Sequence, residues 1–196
     1  MKVLALELSA TIGSLAFCDD SARLFRTFPA DRKDSALFYE NLEAIYRESG
    51  PPEVIVVGLG PGSYAGVRIA IATAIGLKAA ANARLVGLPS ICAIDQSEYL
   101  FVGDARRSSF FFAHVVRGCC MEGPKLASEA EICAKLQTFR PLPAIATQPL
   151  PQFEDLIVEH PSALRLVELA TEANCLIEGE LEPIYLREPY ITTARK

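Results

Sequence analysis

The chain has 196 residues, 51% hydrophobic and 22% charged, with a formal net charge of −5. That composition suits one large or two small globular units with a sizeable core, and it excludes wholesale disorder. The acidic balance, with arginines scattered singly or in pairs, excludes the basic stripe of a protein that grips RNA unaided.

Lys2 to Leu8 is apolar-rich and reads as a strand ending at the polar turn Ser9-Ala10-Thr11. A strand from Gly13 to Cys18 and another from Arg23 to Phe28 follow, separated by Asp19-Asp20-Ser21. Met1 to Leu6 is cut off by Glu7, too short for the core of a signal peptide. Ser35 to Ser49 reads as a helix whose apolar positions Leu37, Phe38, Leu42, Ile45 and Tyr46 form one face.

Val54 to Val57 is β-branched and short, the pattern of a buried strand. Gly58, Gly60, Pro61 and Gly62 break it into a tight turn, and Ser63 is placed to cap the next helix. That helix, Tyr64 to Ala81, carries only Arg68 and Lys78 as charges, so it has no broad polar face. Such a helix must be covered on more than one side. One stripe (Val67, Ile71, Ala74, Ile75) is expected on the sheet, and a second (Gly66, Ala70, Thr73) is small enough for close approach of another helix. The cover comes either from the chain itself or from a partner. Arg68 and Lys78 interrupt the apolar stretch, so no membrane span is expected. The exposed N–H groups of the turn suit an anion, but no Lys-Ser/Thr follows. The next strand, Arg84 to Leu88, ends without an acid for a ribose, so the dinucleotide match is weak.

Gly60 to Arg68, Gly-Pro-Gly-Ser-Tyr-Ala-Gly-Val-Arg, resembles the G-P-G-S-F-T-G-[LV]-R signature of the TsaB (YeaZ) family. The order βββαβα up to this helix resembles the nucleotide-binding fold of actin, heat-shock chaperone ATPases and sugar kinases. In that fold the first turn clasps a phosphate beside a strand-end Asp, and TsaB proteins often read L-D-T-S there. This chain has Leu6-Glu7-Leu8-Ser9, which keeps a carboxylate and loses a hydroxyl. Glu7, Ser9, Gly60, Gly62 and Ser63 are therefore expected to form a vestigial phosphate site at most, and the plainer reading makes Glu7 an exposed strand end. TsaD proteins, the catalytic relatives, carry two metal-binding histidines in the helix corresponding to Ser35–Ser49. This one has none, so the resemblance implies no metal here.

Beyond Leu88, Pro89-Ser90 opens an expected short helix, Ile91 to Ser97, before a strand at Tyr99 to Gly103. Asp104-Ala105-Arg106-Arg107 then leads into a strand from Ser109 to Val116 and resembles a second TsaB motif. Asp104 is suited to hold the turn's backbone, leaving Arg106 and Arg107 for local acids, an acidic partner or an RNA backbone. Glu129 to Phe139 reads as a helix and Pro141 to Pro151 as a broken strand and loop. Ala163 to Leu176 is an amphipathic helix able to pack back on the first subdomain, and Pro183-Ile184-Tyr185-Leu186-Arg187 resembles the family's P-x-Y-[LV]-R ending. The subdomain boundary falls near Ser97–Glu98, giving units 1–97 and 98–196.

Six cysteines (Cys18, Cys92, Cys119, Cys120, Cys133, Cys175) show no C-x-x-C spacing and, with His114 and His160, assemble no zinc set. Reduced thiols and a cytoplasmic location are the expectation.

The resemblance implies a two-lobed α/β fold of the actin-like ATPase class and a part in threonylcarbamoyladenosine synthesis on tRNA. It implies a non-catalytic scaffold for TsaD, helped in bacteria by TsaE, with tRNA met only through the complex and homodimers formed by the same surface. That surface is placed on Tyr64, Val67, Arg68, Ile71 and Ile75. No cofactor is expected on the isolated chain, and ATP or ADP is expected only at a partner interface. The competing readings are an active ATPase or kinase using Glu7 and the glycine turn, a peptidase, and a metabolite-binding module. Two distant histidines outside any nucleophile motif make the peptidase the poorest of these.

Overall fold

The computed structural model describes residues 1–30, 35–106, 109–172 and 176–187. Its first half builds a sheet from β1 (Val3–Glu7), β2 (Ile12–Cys18), β3 (Arg23–Pro29), β4 (Val54–Gly58) and β5 (Arg84–Leu88). Helix α1 (Ala36–Ser49) lies between β3 and β4, and α2 (Tyr64–Ala81) connects β4 to β5. Its second half builds another sheet from β6 (Glu98–Asp104), β7 (Phe110–Val116), β8 (Cys119–Ala127), β9 (Ala144–Ala146) and β10 (Leu156–Val158). Here α3 (Glu129–Thr138) follows β8, α4 (Ala163–Glu172) follows β10, and β11 (Ile177–Glu178) returns to the first sheet.

The first sheet runs β11-β5-β4-β1-β2-β3, with β1, β4 and β5 parallel and β2, β3 and β11 antiparallel to their neighbours. The order βββαβα and this mixed sheet are those of the actin-like α/β class expected from the sequence.

Strand periodicity divides the core. Leu4, Leu6, Ile55 and Val57 face α1 and α2, while Val3, Ala5, Val54 and Val56 face the opposite layer with α4 and the inner side of the second sheet. Both faces are covered, which is why β1 and β4 are apolar at every position up to their ends. α4 packs on β1, β2 and β4, and its Ala163 N–H donates to Ser14 Oγ at 2.8 Å. α3 closes the outer side of the second sheet over Val102, Phe110 and Phe112.

Several expectations need correction. The helix foreseen over Ile91–Ser97 is a 3₁₀ turn, Ser90–Cys92. Its carbonyls have other partners: Ile91 O accepts from Tyr99 OH at 2.7 Å and Ala93 O from Ser162 N–H at 2.9 Å. Leu37, read as part of the buried face of α1, is exposed, while Phe38, Leu42 and Ile45 are buried. β8 was not legible because Gly123 and Pro124 interrupt it, and Pro lacks a ladder donor. It is tolerated because β8 lies at the edge of its sheet. Cys119 takes part in a disulfide, so the thiols are not all reduced. By length and composition α2 is apolar enough to cross a membrane, with a mean hydropathy of 1.3, so Arg68 and Lys78 do not exclude that on composition. Its place here is the crossover between two parallel strands.

Candidate functional site

The first turn, the glycine turn, the Asp104–Arg106 turn and the tail from Pro183 to Arg187 meet in a cleft between the two sheets. One cavity of about 100 Å³ is walled by Ser9, Thr11, Gly62, Ser63, Asp104, Arg106, Thr147 and Gln148. A second, of about 290 Å³, opens beside it between Gly60–Tyr64, Val67, Arg106 and Ile184–Arg187.

The two turns are tied to each other. Ser63 N–H donates to Ser9 O at 2.6 Å, and Ser63 Oγ caps α2 by accepting from Gly66 N–H at 3.3 Å. Gly60, at φ 86°, adopts a backbone that glycine enters without strain. Its N–H donates to Ser90 Oγ at 2.9 Å, and its carbonyl accepts from Ser90 N–H at 2.8 Å. A Cβ on Gly62 would overlap Ser9 O, so the two backbones touch. The N–H groups of Gly60 and Ser63, which a phosphate clasp would offer its ligand, are thus already taken within the chain. Ser90 was missed in the sequence. Its only local sign is a hydroxyl residue after Pro89 at the end of an apolar strand.

Glu7 is not the exposed strand end anticipated. It is fully buried, with Oε1 accepting from Ser9 N–H at 2.7 Å and Oε2 without a partner. Gly58 makes this possible, since a Cβ there would overlap Oε2. Leu8, in place of a hydroxyl residue, is buried in the core under α2 rather than turned to the cleft.

Burial pushes the Glu7 carboxyl above its ordinary range, against the lowering effect of the hydrogen bond from Ser9 and of the Ser90 hydroxyl beside it. The folded chain therefore holds this proton at a pH where the unfolded chain has lost it. The resulting contribution to stability is complete below the unfolded pKa of about 4.3 and is lost as pH rises through the folded value. Glu7→Gln is neutral at every pH and should lack this decline. It should exceed the parent in stability near neutrality by about 1 kcal/mol or more, since the parent must bury a poorly partnered acid. Denaturant midpoints of both proteins from about pH 4 to 8 test this; parallel profiles would refute it.

On the far side of the cleft, Asp104 Oδ1 accepts from Arg106 N–H at 2.7 Å, and Arg106 sits at φ 66°. Arg107 lies outside the described residues. Tyr185, the tyrosine of the tail motif, lies tilted against Tyr64 with ring centroids 5.6 Å apart. The Arg68 guanidinium lies 4.9 Å from the Tyr64 ring centroid and also donates to its hydroxyl.

The five α2 positions separate. Val67 and Ile71 are 2% and 6% exposed and belong to the core with Ala70 and Ala74, so they are not on a surface. Tyr64 and Ile75 are 52% and 51% exposed, and Arg68 is exposed with them. Ile75 thus leaves the sheet-facing stripe assigned to it. With the exposed Ala72, Gly76 and Ala79, the three lie on the solvent side of α2, where the charges are Arg68 and Lys78. The other small stripe is occupied at home: Gly66 abuts Leu8 O, Ala70 is buried, and Thr73 shares a hydrogen bond with Tyr39 of α1 at 3.4 Å. Among the described residues no three His, Cys, Asp or Glu side chains cluster as metal ligands.

Residues 42–118 match the family model described as TsaD, tRNA N6-adenosine threonylcarbamoyltransferase. YeaZ from Pseudomonas aeruginosa superposes with a TM-score of 0.76 at 18% identity, over 94% of this chain and 100% of that one. A crystal structure described as an uncharacterized protein with similarity to peptidase YeaZ, from the same organism, gives a TM-score of 0.75 at 20% identity, over 95% and 99% of the two chains. Uncharacterized proteins of Mycobacterium tuberculosis and Mycobacterium bovis are 29% identical over 151 residues, covering 70% of this chain. The chain spans 65% of the length of those mycobacterial relatives.

Proposed function

We propose, taking the chain as a protein of the YeaZ (TsaB) type, that it serves the tRNA threonylcarbamoyladenosine system as a non-catalytic partner of TsaD. The observation that carries this reading is the outward face of α2. A helix whose solvent side shows Tyr64, Ala72, Ile75, Gly76 and Ala79, with Arg68 and Lys78 as the charges of the helix, lacks the broad charged face of a surface helix. Small residues there let a partner helix approach closely. The clasp supports the same reading from the other side, because Gly60 and Ser63 donate within the chain and the Glu7 carboxyl is sealed behind Gly58.

In this reading Tyr64, Arg68 and Ile75 contact TsaD, and a homodimer forms through the same face when TsaD is absent. TsaE joins the complex in bacteria, tRNA is met only through it, and ATP or ADP binds where the cleft meets a partner. The setting is the cytoplasm.

The experiment is size-exclusion chromatography with light scattering, on the chain alone and mixed with TsaD of the same organism. A stoichiometric complex, with no ATP hydrolysis by the chain alone, is the expected result. Failure to associate even with nucleotide and TsaE present would refute the proposal, and ATP turnover by the isolated chain would favour the kinase or ATPase reading.

A further inference from the structure

Cys92 and Cys120 come from different parts of the fold and meet. Cys92 ends the 3₁₀ turn after β5, is 1% exposed and belongs to the core between the sheets. Cys120 lies on β8, half-buried, opposite Val115 of β7. Their Sγ atoms are 3.4 Å apart. A disulfide needs about 2.05 Å between sulfurs, so closing the pair asks for a small side-chain adjustment and no rearrangement of the sheets.

We propose that Cys92 and Cys120 form an oxidisable dithiol, a modification site that closes by exchange with a low-molecular-weight disulfide. This goes beyond the partner role and does not depend on it. Cys120 is the more accessible thiol, and its contact with Cys92 holds it below the ordinary thiol range, whereas that contact and burial push Cys92 up. The Cys120 thiolate attacks one sulfur of the small disulfide, forming a mixed disulfide and expelling a thiolate, which takes up the proton lost by Cys120. Cys92 then gives up its proton and attacks Cys120 Sγ, expelling the second small thiol. One small disulfide is reduced to two thiols, and the protein dithiol is oxidised by two electrons.

The closed bond would join the 3₁₀ turn covalently to the second sheet. Ser90, the first residue of that turn, holds both the N–H and the carbonyl of Gly60. The oxidised form therefore fixes the support beneath the glycine turn.

The full chain is incubated with glutathione disulfide, remaining thiols are alkylated with N-ethylmaleimide in denaturant, and tryptic peptides are read by mass spectrometry. The expected product adds the peptide containing Cys92 to the one that carries Cys120 and the disulfide-bonded Cys119, lacks the alkyl groups of Cys92 and Cys120, is absent before oxidation and is reversed by dithiothreitol. Oxidation should also raise the thermal midpoint, because the bond constrains the unfolded chain. Cys120→Ser, at a half-buried position, should keep the fold and lose both the link and the rise. Full alkylation of both thiols, a glutathione adduct that never resolves, or a link surviving Cys120→Ser would each overturn the proposal.

Discussion

Replacing Ile71 by Glu is expected to unfold the chain, while the same change at Ile75 leaves it folded and abolishes association with TsaD. Ile71 is 6% exposed in the core beneath α2, among apolar residues of β1, β4 and β5. A carboxylate there would be buried without a partner, at a cost of about 3–5 kcal/mol. That is a large part of the ~5–15 kcal/mol that holds a domain together. Ile75, one turn further on, is 51% exposed, and its replacement should change stability by no more than about 0.5 kcal/mol. In a docked complex the same carboxylate would lie in an apolar contact. A loss of about 3 kcal/mol, more than a hundredfold in Kd, is then expected. Thermal melts and light scattering on the two variants separate the effects. An Ile75→Glu protein that binds TsaD as the parent does would place the docking face elsewhere.

The contrast between Ile71 and Ile75 also marks where sequence reading loses resolution. Positions four apart on a helix differ by about 40° around its axis, enough to separate a covered edge from an open one. Nothing in an all-apolar helix marks that edge, so both residues looked alike. The strand, turn and helix from Val54 to Ala81 were legible, including the Ser63 cap, because each rests on local patterns. The βββαβα order was legible for the same reason.

Glu7 was not. Its burial is imposed by Gly58 and Ser90, which reach it through the packing of β1 on β4 and of the 3₁₀ turn behind them. No window around Leu6-Glu7-Leu8 contains that information. The missing helix at Ile91–Ser97 has a similar cause, since Tyr99 and Ser162 claim its carbonyls from outside the segment. Sites assembled from distant turns are therefore the part of this molecule that sequence pattern renders least well, and the cleft is built from three of them and the tail.

The seat of α2 on the first turn yields the other large effect: Gly66→Ala should destabilise the chain while Gly76→Ala stabilises it. Both glycines lie within the same helix, where alanine is favoured over glycine by about 0.8–1.0 kcal/mol. At Gly76 nothing lies within 4 Å of an added Cβ, so that gain is realised in full. At Gly66 the added Cβ would overlap Leu8 O, a backbone atom just past the end of β1 that no rotamer change can clear. The helix must lift from the strand, and forcing an extra carbon into such a contact costs about 1–3 kcal/mol or more. The lift also strains the Ser63 N–H bond to Ser9 O, which ties the glycine turn to the first turn. Urea midpoints should therefore move in opposite directions for one and the same substitution. If Gly66→Ala were as stable as the parent, α2 would not rest on the first turn as described, and the closed clasp between the two turns would have to be given up with it.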